Sequence, residues 1–242
     1  ASLWFVLAVY QYWKETNDSK FVRDVAWLKC AEILKFYREG TRYNIHLDDD
    51  GLIFAGIHGT QLTWMDAKIN DRVVTPRIGK PVEIQALWYN ALNMMAEMAK
   101  IFRKTEAAKE YLDLAKLCQS YFNKIFWYEK EGYLYDVING EMKDPSLRPN
   151  QIFAVSLPFE LLPLERSKSV VDVIQKHLLT PYGLRSLSPT HIQYQGCYEG
   201  DMIKRDSAYH QGTVWSWLMG PFITAYLKVN GSEKNAKIKV KE

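Results

Sequence analysis

The chain has 242 residues, 48% of them hydrophobic, with a net charge of +3. That is enough apolar material for a large core, and basic and acidic residues are interleaved, which argues against a nucleic-acid surface. Three cysteines (Cys30, Cys118, Cys197), odd in number and without a C-x-x-C pair, exclude a disulfide framework or a zinc site and point to a reducing, cytoplasmic setting.

Apolar residues recur at helical spacing from the start. A first helix is predicted over 2–14, too short and too soon charged to span a membrane, and it stops near Asn17-Asp18. A second covers 20–38, with Phe21, Val25, Leu28, Ile33 and Phe36, and ends before Gly40. Asp48-Asp49-Asp50-Gly51-Leu52-Ile53-Phe54 reads as a tight turn with a short strand. A third helix opens at Pro81 and runs over 81–103. A fourth covers 107–126, and 131–136 repeats the turn-and-strand character. A fifth helix is expected at 150–161, a sixth at 166–178, and a seventh at 211–228, after a long loop at 180–208.

Short links make helices one and two, three and four, and five and six antiparallel hairpins. Between the pairs lie loops of about 20 to 40 residues, a length usually reserved for function. Helical hairpins with elaborate loops on one side describe an α/α toroid; no fixed repeat supports a solenoid. Ala1 opens directly into a helix without a basic leader, and 231–237 resembles a link to a further helix. Both ends therefore look cut, and the basic tail at 234–241 reads as a solvated segment.

Two segments carry side chains suited to sugars. Gln61-Leu62-Thr63-Trp64-Met65-Asp66 sets a carboxylate beside a tryptophan in a loop, and Tyr209-His210-Gln211-Gly212-Thr213-Val214-Trp215-Ser216-Trp217 opens the seventh helix. Flat rings cover C–H faces, polar groups read hydroxyls, and a protonated carboxyl can give its proton to a glycosidic oxygen. Asp66 is the candidate acid if burial beside Trp64 and Met65 disfavours its charge; its ordinary alternative is a loop hydrogen bond or a helix cap. Glu83 either complements a helix N-terminus or points toward a sugar. Arg77 either meets a hydroxyl or pairs with an acid, and pairing with Asp66 would count against the acid role. His210 and Gln211 are candidate hydroxyl readers and Trp215 a stacking platform, whereas Trp217 suits a core equally well. Arg148-Pro149-Asn150-Gln151 brings two amides to one helix start, where Asn150 suits a cap. Asp201, Arg205 and Asp206 suit a structural ion-pair network. No nucleophile triad, phosphate loop or metal-ligand spacing is present, and His46, His58 and His177 stand isolated.

Taken in order, Thr63-Trp64-Met65-Asp66, the Thr75-Pro76-Arg77 to Tyr89-Asn90 stretch, Arg148-Pro149-Asn150-Gln151 and Tyr209-His210-Gln211-Gly212-Thr213-Val214-Trp215 resemble the amylo-α-1,6-glucosidase domain of glycogen debranching enzymes. The resemblance spans nearly the whole chain. It implies an all-α (α/α)6 toroid, present as an incomplete fragment, with residues 1–242 part of one catalytic domain. It also implies hydrolysis of the α-1,6-linked glucose of glycogen or limit dextrin with inversion, no cofactor and no metal. Asp66 matches the family's general acid, and Trp64, Arg77, Glu83, Gln151, His210, Gln211 and Trp215 become substrate-binding candidates. The family's base is a Glu some tens of residues beyond the His-Gln-Gly motif, so it is expected past residue 242 and the isolated fragment is expected to be inactive. Neither Glu83 nor Glu199 is assigned that role. A trehalase-like or mannoside-processing toroid, or a non-catalytic glycan-binding helical domain, are the alternative readings.

Overall fold

A computed structural model describes residues 2–231; the basic tail and the expected link at the C-terminal end lie outside the described residues. The helices are α1 (Ser2–Thr16), α2 (Ser19–Phe21), α3 (Trp27–Glu39), α4 (Val82–Ile101), α5 (Thr105–Ile125), α6 (Phe153–Ser156), α7 (Leu164–His177), α8 (Met202–Ala208) and α9 (Met219–Asn230). A π-helical stretch, Val22–Ala26, joins α2 to α3.

α1 buries Leu3, Val6, Val9, Tyr10 and Trp13, spaced along one face. It ends where Asn17 takes a left-handed φ of 56° and its N–H reaches Trp13 O at 2.8 Å. Asp18 then caps α2 by accepting the Phe21 N–H at 2.9 Å. α5 buries Ala108, Tyr111, Ala115, Cys118 and Phe122 at helical spacing. α4 differs: it is buried on every side and packs against α1, α3, α5 and α6. Its sequence is mostly apolar, with Gln85 and Asn90 buried through hydrogen bonds, and each fully buried large side chain such as Leu92 or Met95 contributes about 1.5–3 kcal/mol.

Short strands pin the loops to this helical frame. β1 (His46–Leu47) pairs with β2 (Ile53–Phe54), and β3 (Lys68–Ile69) with β4 (Arg72–Val73). β5 (Lys80–Pro81) leads into α4. β6 (Trp127–Tyr128) pairs with β7 (Tyr133–Leu134), and β8 (Val137–Asn139) pairs with both β5 and β9 (Met142–Asp144). β10 (Leu179–Thr180), β11 (Gly183–Arg185) and β12 (Val214–Trp215) form the last sheet. All pairings are antiparallel.

Two predicted helices need correction. The one expected at 150–161 is a 3-10 turn, Pro149–Ile152, followed only by the single turn of α6. Leu157 precedes Pro158, whose ring disfavours helical backbone before it, and Leu157 is extended. The one expected from 211 begins eight residues later, at Met219, because Val214 and Trp215 join a sheet. Gly212 makes this possible. Its φ is 148°, and a Cβ there would lie 2.3 Å from Gln195 O. The loop at 180–208 is also more ordered than expected, holding β11 and α8. Asp201 caps α8 through the Lys204 N–H at 2.9 Å, and among the described residues no ion pair joins Arg205 to Asp201 or Asp206.

Candidate active site

The register of the β5–β8 pair sets the site's foundation. Pro81 faces Val137, and the Val82 N–H donates to Asp136 O at 2.9 Å, so Asp136 arrives beside the first turn of α4. Gly79 permits that approach: its φ is 124° and a Cβ would sit 2.4 Å from Ile138 O. Arg77 projects into the same place. Its Nε donates to Asp136 Oδ2 at 2.8 Å and its Nη2 to Asp136 Oδ1 at 3.0 Å. The remaining donors take Glu83, with Nη2 to Oε2 at 2.7 Å and Nη1 to Oε1. Arg77, Glu83 and Asp136 are 7%, 3% and 2% exposed. Burial works against the guanidinium charge, but the carboxylates of Asp136 and Glu83 outweigh it and its pKa is raised. Arg77 therefore pairs with Glu83, one of the two acids expected for it, and with Asp136, but leaves Asp66 alone.

Asn150 extends this network. It is fully buried, its Nδ2 donates to Asp136 Oδ1 at 2.7 Å, and its Oδ1 accepts the Trp64 indole N–H at 2.7 Å. It is not the helix cap expected; that position is Arg148, whose side chain makes no capping bond. Arg148 Nη1 instead donates to His210 O at 2.7 Å and Ser186 O at 3.1 Å, while Nη2 donates to Gln211 Oε1 at 2.9 Å. Gln211 Nε2 completes the span by donating to Val74 O at 3.2 Å. Gln151 accepts the Leu134 N–H at 3.0 Å and donates to Arg148 O at 3.2 Å, so both ends of its amide hold backbone.

Trp64 is the point where the two sugar-suited segments meet. Its ring stands edge-on to His210 (centroids 5.1 Å apart), Trp215 (5.6 Å) and Trp217 (5.2 Å). His210 and Trp215 stack on one another at 5.5 Å, and Trp215 Nε1 donates to Tyr209 O at 3.2 Å. Aromatic pairs of this kind contribute about 0.5–1.5 kcal/mol each beyond burial. His210 is 1% exposed and its Nδ1 has no partner. Burial, reinforced by the charges of Arg148 and Arg77, pushes its pKa down to about 4. The imidazole is therefore neutral near pH 7.

A cleft of about 310 Å³ opens beside this cluster, lined by Leu62, Thr63, Trp64, Glu83, Trp4 and Trp217 among others. That volume is at the lower end for small-ligand pockets. Trp217, which the sequence left open between core and site, is thus a partly exposed wall of it.

Asp66 departs from expectation in one respect. Met65 and Ala67 are buried, and Asp66 between them is exposed. The burial expected for Asp66 falls on its neighbours. Those neighbours are held firmly: Asn150 Nδ2 lies 3.5 Å and Arg148 Nη1 3.9 Å from the Met65 sulfur. Among the described residues the Asp66 carboxylate has no hydrogen-bond or ion-pair partner. The segment's backbone is fixed while its carboxylate is open.

Sequence reasoning missed Asp136, the acid on which Arg77, Arg148 and Asn150 converge. Its one local signal was a charged residue within the apolar run Tyr133-Leu134-Tyr135-Asp136-Val137-Ile138. Among the described residues no cluster of side chains could hold a metal ion, and no helix is long and apolar enough to cross a membrane.

A mostly helical frame presenting an aromatic, acid-bearing loop cluster matches a carbohydrate-processing class. The chain belongs to the amylo-alpha-1,6-glucosidase family, whose profile matches residues 1–242. It is 26% identical to the glycogen debranching enzyme of Saccharomyces cerevisiae across 78% of this chain. The match spans 15% of the length of that curated relative. Among solved structures it is similar to a sialidase, with a TM-score of 0.66 and 12% identity, covering 89% of this chain and 18% of the other. At that identity the likeness bears on the fold alone.

Proposed function

We propose that this chain contributes the acid side of a glucosidase site acting on the α-1,6 branch points of glycogen or limit dextrin, with inversion at the anomeric carbon. Asp66 protonates the leaving oxygen. Trp64 and Trp215 supply faces for the terminal glucose, while Glu83 and neutral His210 meet its hydroxyls. Arg77, Gln151 and Gln211 hold these groups from behind rather than reaching the sugar. The architecture is part of an (α/α)6 toroid, and residues 1–242 form part of one cytoplasmic catalytic domain. Inversion requires a second carboxylate about 6.5–9.5 Å away to activate water; in the family pattern it belongs to a segment outside residues 1–242.

One observation carries this reading. Trp64 is packed against His210, Trp215 and Trp217, so the two segments meet at one ring. That ring lines the cleft with Thr63, Glu83 and Trp217, while His210 and Trp215 stand behind it and the unpaired Asp66 carboxylate lies two residues along the chain, outside the cleft lining. Asp66→Asn in the full-length protein tests it. Turnover of limit dextrin falls by about 10²–10⁴-fold while glucan affinity is retained. Unchanged turnover would assign the proton transfer to another group.

A further inference from the structure

We propose that Asn150 is a positioning residue that sets the angle of the Trp64 ring in the cleft; this rests on the glucosidase reading of the site. The Trp64 indole offers one donor and no acceptor, and the Asp136 carboxylate offers acceptors only. Asn150 stands between them, 2.7 Å from each. Its amide can satisfy both in one orientation, with Nδ2 toward Asp136 and Oδ1 toward the indole. A flip would set oxygen against oxygen and N–H against N–H. Asp136 is itself fixed by the two-pronged contact of Arg77, so the direction of the amide is decided by the buried charges beneath it.

The consequence reaches the cleft through the ring. Trp64 lines the cleft and lies at 85°, 85° and 89° to the planes of His210, Trp215 and Trp217. Turning the indole to seek another acceptor would break all three edge-on contacts and move the cleft wall. Neither a charged nor an apolar side chain of similar size replaces Asn150. Aspartate would press a second carboxylate on Asp136, and leucine would leave both partners unmatched in a buried place.

Asn150→Leu, Trp64→Phe and the double variant of the full-length protein decide the matter, read by crystal structures and by the Kd for limit dextrin. The Trp64 ring turns in Asn150→Leu, each single variant binds about tenfold more weakly, and the double variant is no weaker than Trp64→Phe alone, because the bond Asn150 makes to the indole is already absent there. An unmoved ring, an unchanged Kd, or a double variant weakened by the product of the two effects overturns the proposal. Should Asn150→Leu fail to fold, 3-benzothienylalanine incorporated at position 64 keeps the bicyclic ring face and removes only the indole donor. Unchanged affinity in that variant is equally fatal. If the wild-type protein neither binds nor cleaves limit dextrin, the glucosidase reading falls, and the ring angle in Asn150→Leu still judges the role of Asn150.

Discussion

Arg77 and Asp136 lie 59 residues apart in the chain and meet in a two-pronged ion pair, Nε to Oδ2 at 2.8 Å and Nη2 to Oδ1 at 3.0 Å. Both are buried, and Glu83 shares the same guanidinium. Removing the cation would strand two carboxylates away from water. Arg77→Met is expected to lower stability by about 3–5 kcal/mol, measured by denaturant unfolding. A loss below about 1 kcal/mol would show that water reaches these acids.

Stability should fall as the medium is acidified past neutrality, through His210. Its proton binds with a pKa near 6.5 in the unfolded chain and about 4 in the folded one. Between those values the unfolded state holds more protons, so stability is full above pH 6.5 and declines as pH drops toward 4. The total is on the order of 3 kcal/mol. Urea titrations at stepped pH should show this slope in the native protein and lose it in His210→Gln.

Gly212→Ala probes the turn that delivers His210 and Gln211. The substitution meets a left-handed backbone and a carbonyl 2.3 Å from the new methyl. A cost of at least about 1–3 kcal/mol is expected, with a lower Tm. Because the same turn carries the aromatic wall, glucan affinity should fall in parallel.

Asp66→Asn should do the opposite. The side chain is exposed and unpaired, so the melting transition is expected to move by less than about 0.5 kcal/mol equivalent while turnover collapses. A large stability change would give Asp66 a structural job instead.

The helical frame was largely legible. α4 could be read because Pro81 opens it and apolar residues dominate its length, and α1, α5 and α7 because their buried residues keep helical spacing. Where sheet pairing or a proline overrode local periodicity, at α6 and before α9, the reading ran too long. The site was legible in its aromatic motifs and less so in its depth. Asp66 was expected inside, yet it is exposed between buried Met65 and Ala67. Asp136 was missed because its partners come from 59 residues before and 12 and 14 after, and pairing at such range leaves no periodic trace. Asn150 looked like a cap because the residue type suits both roles; only the indole and carboxylate on either side of it separate them.

The three thiols differ in a way that is useful at the bench. Cys30 and Cys118 are sealed in the core, and burial pushes the Cys30 pKa up to about 12 and raises that of Cys118. Cys197 is the exposed one among the described residues, next to Tyr198, whose ring lies 5.6 Å from that of Tyr209. Maleimide reagents attack thiolates, so a fluorophore should attach there and spare the interior pair. Nature has thus left a built-in reporter position one short step from the aromatic wall, where added oligosaccharide can be followed by eye of the spectrometer without introducing a new cysteine.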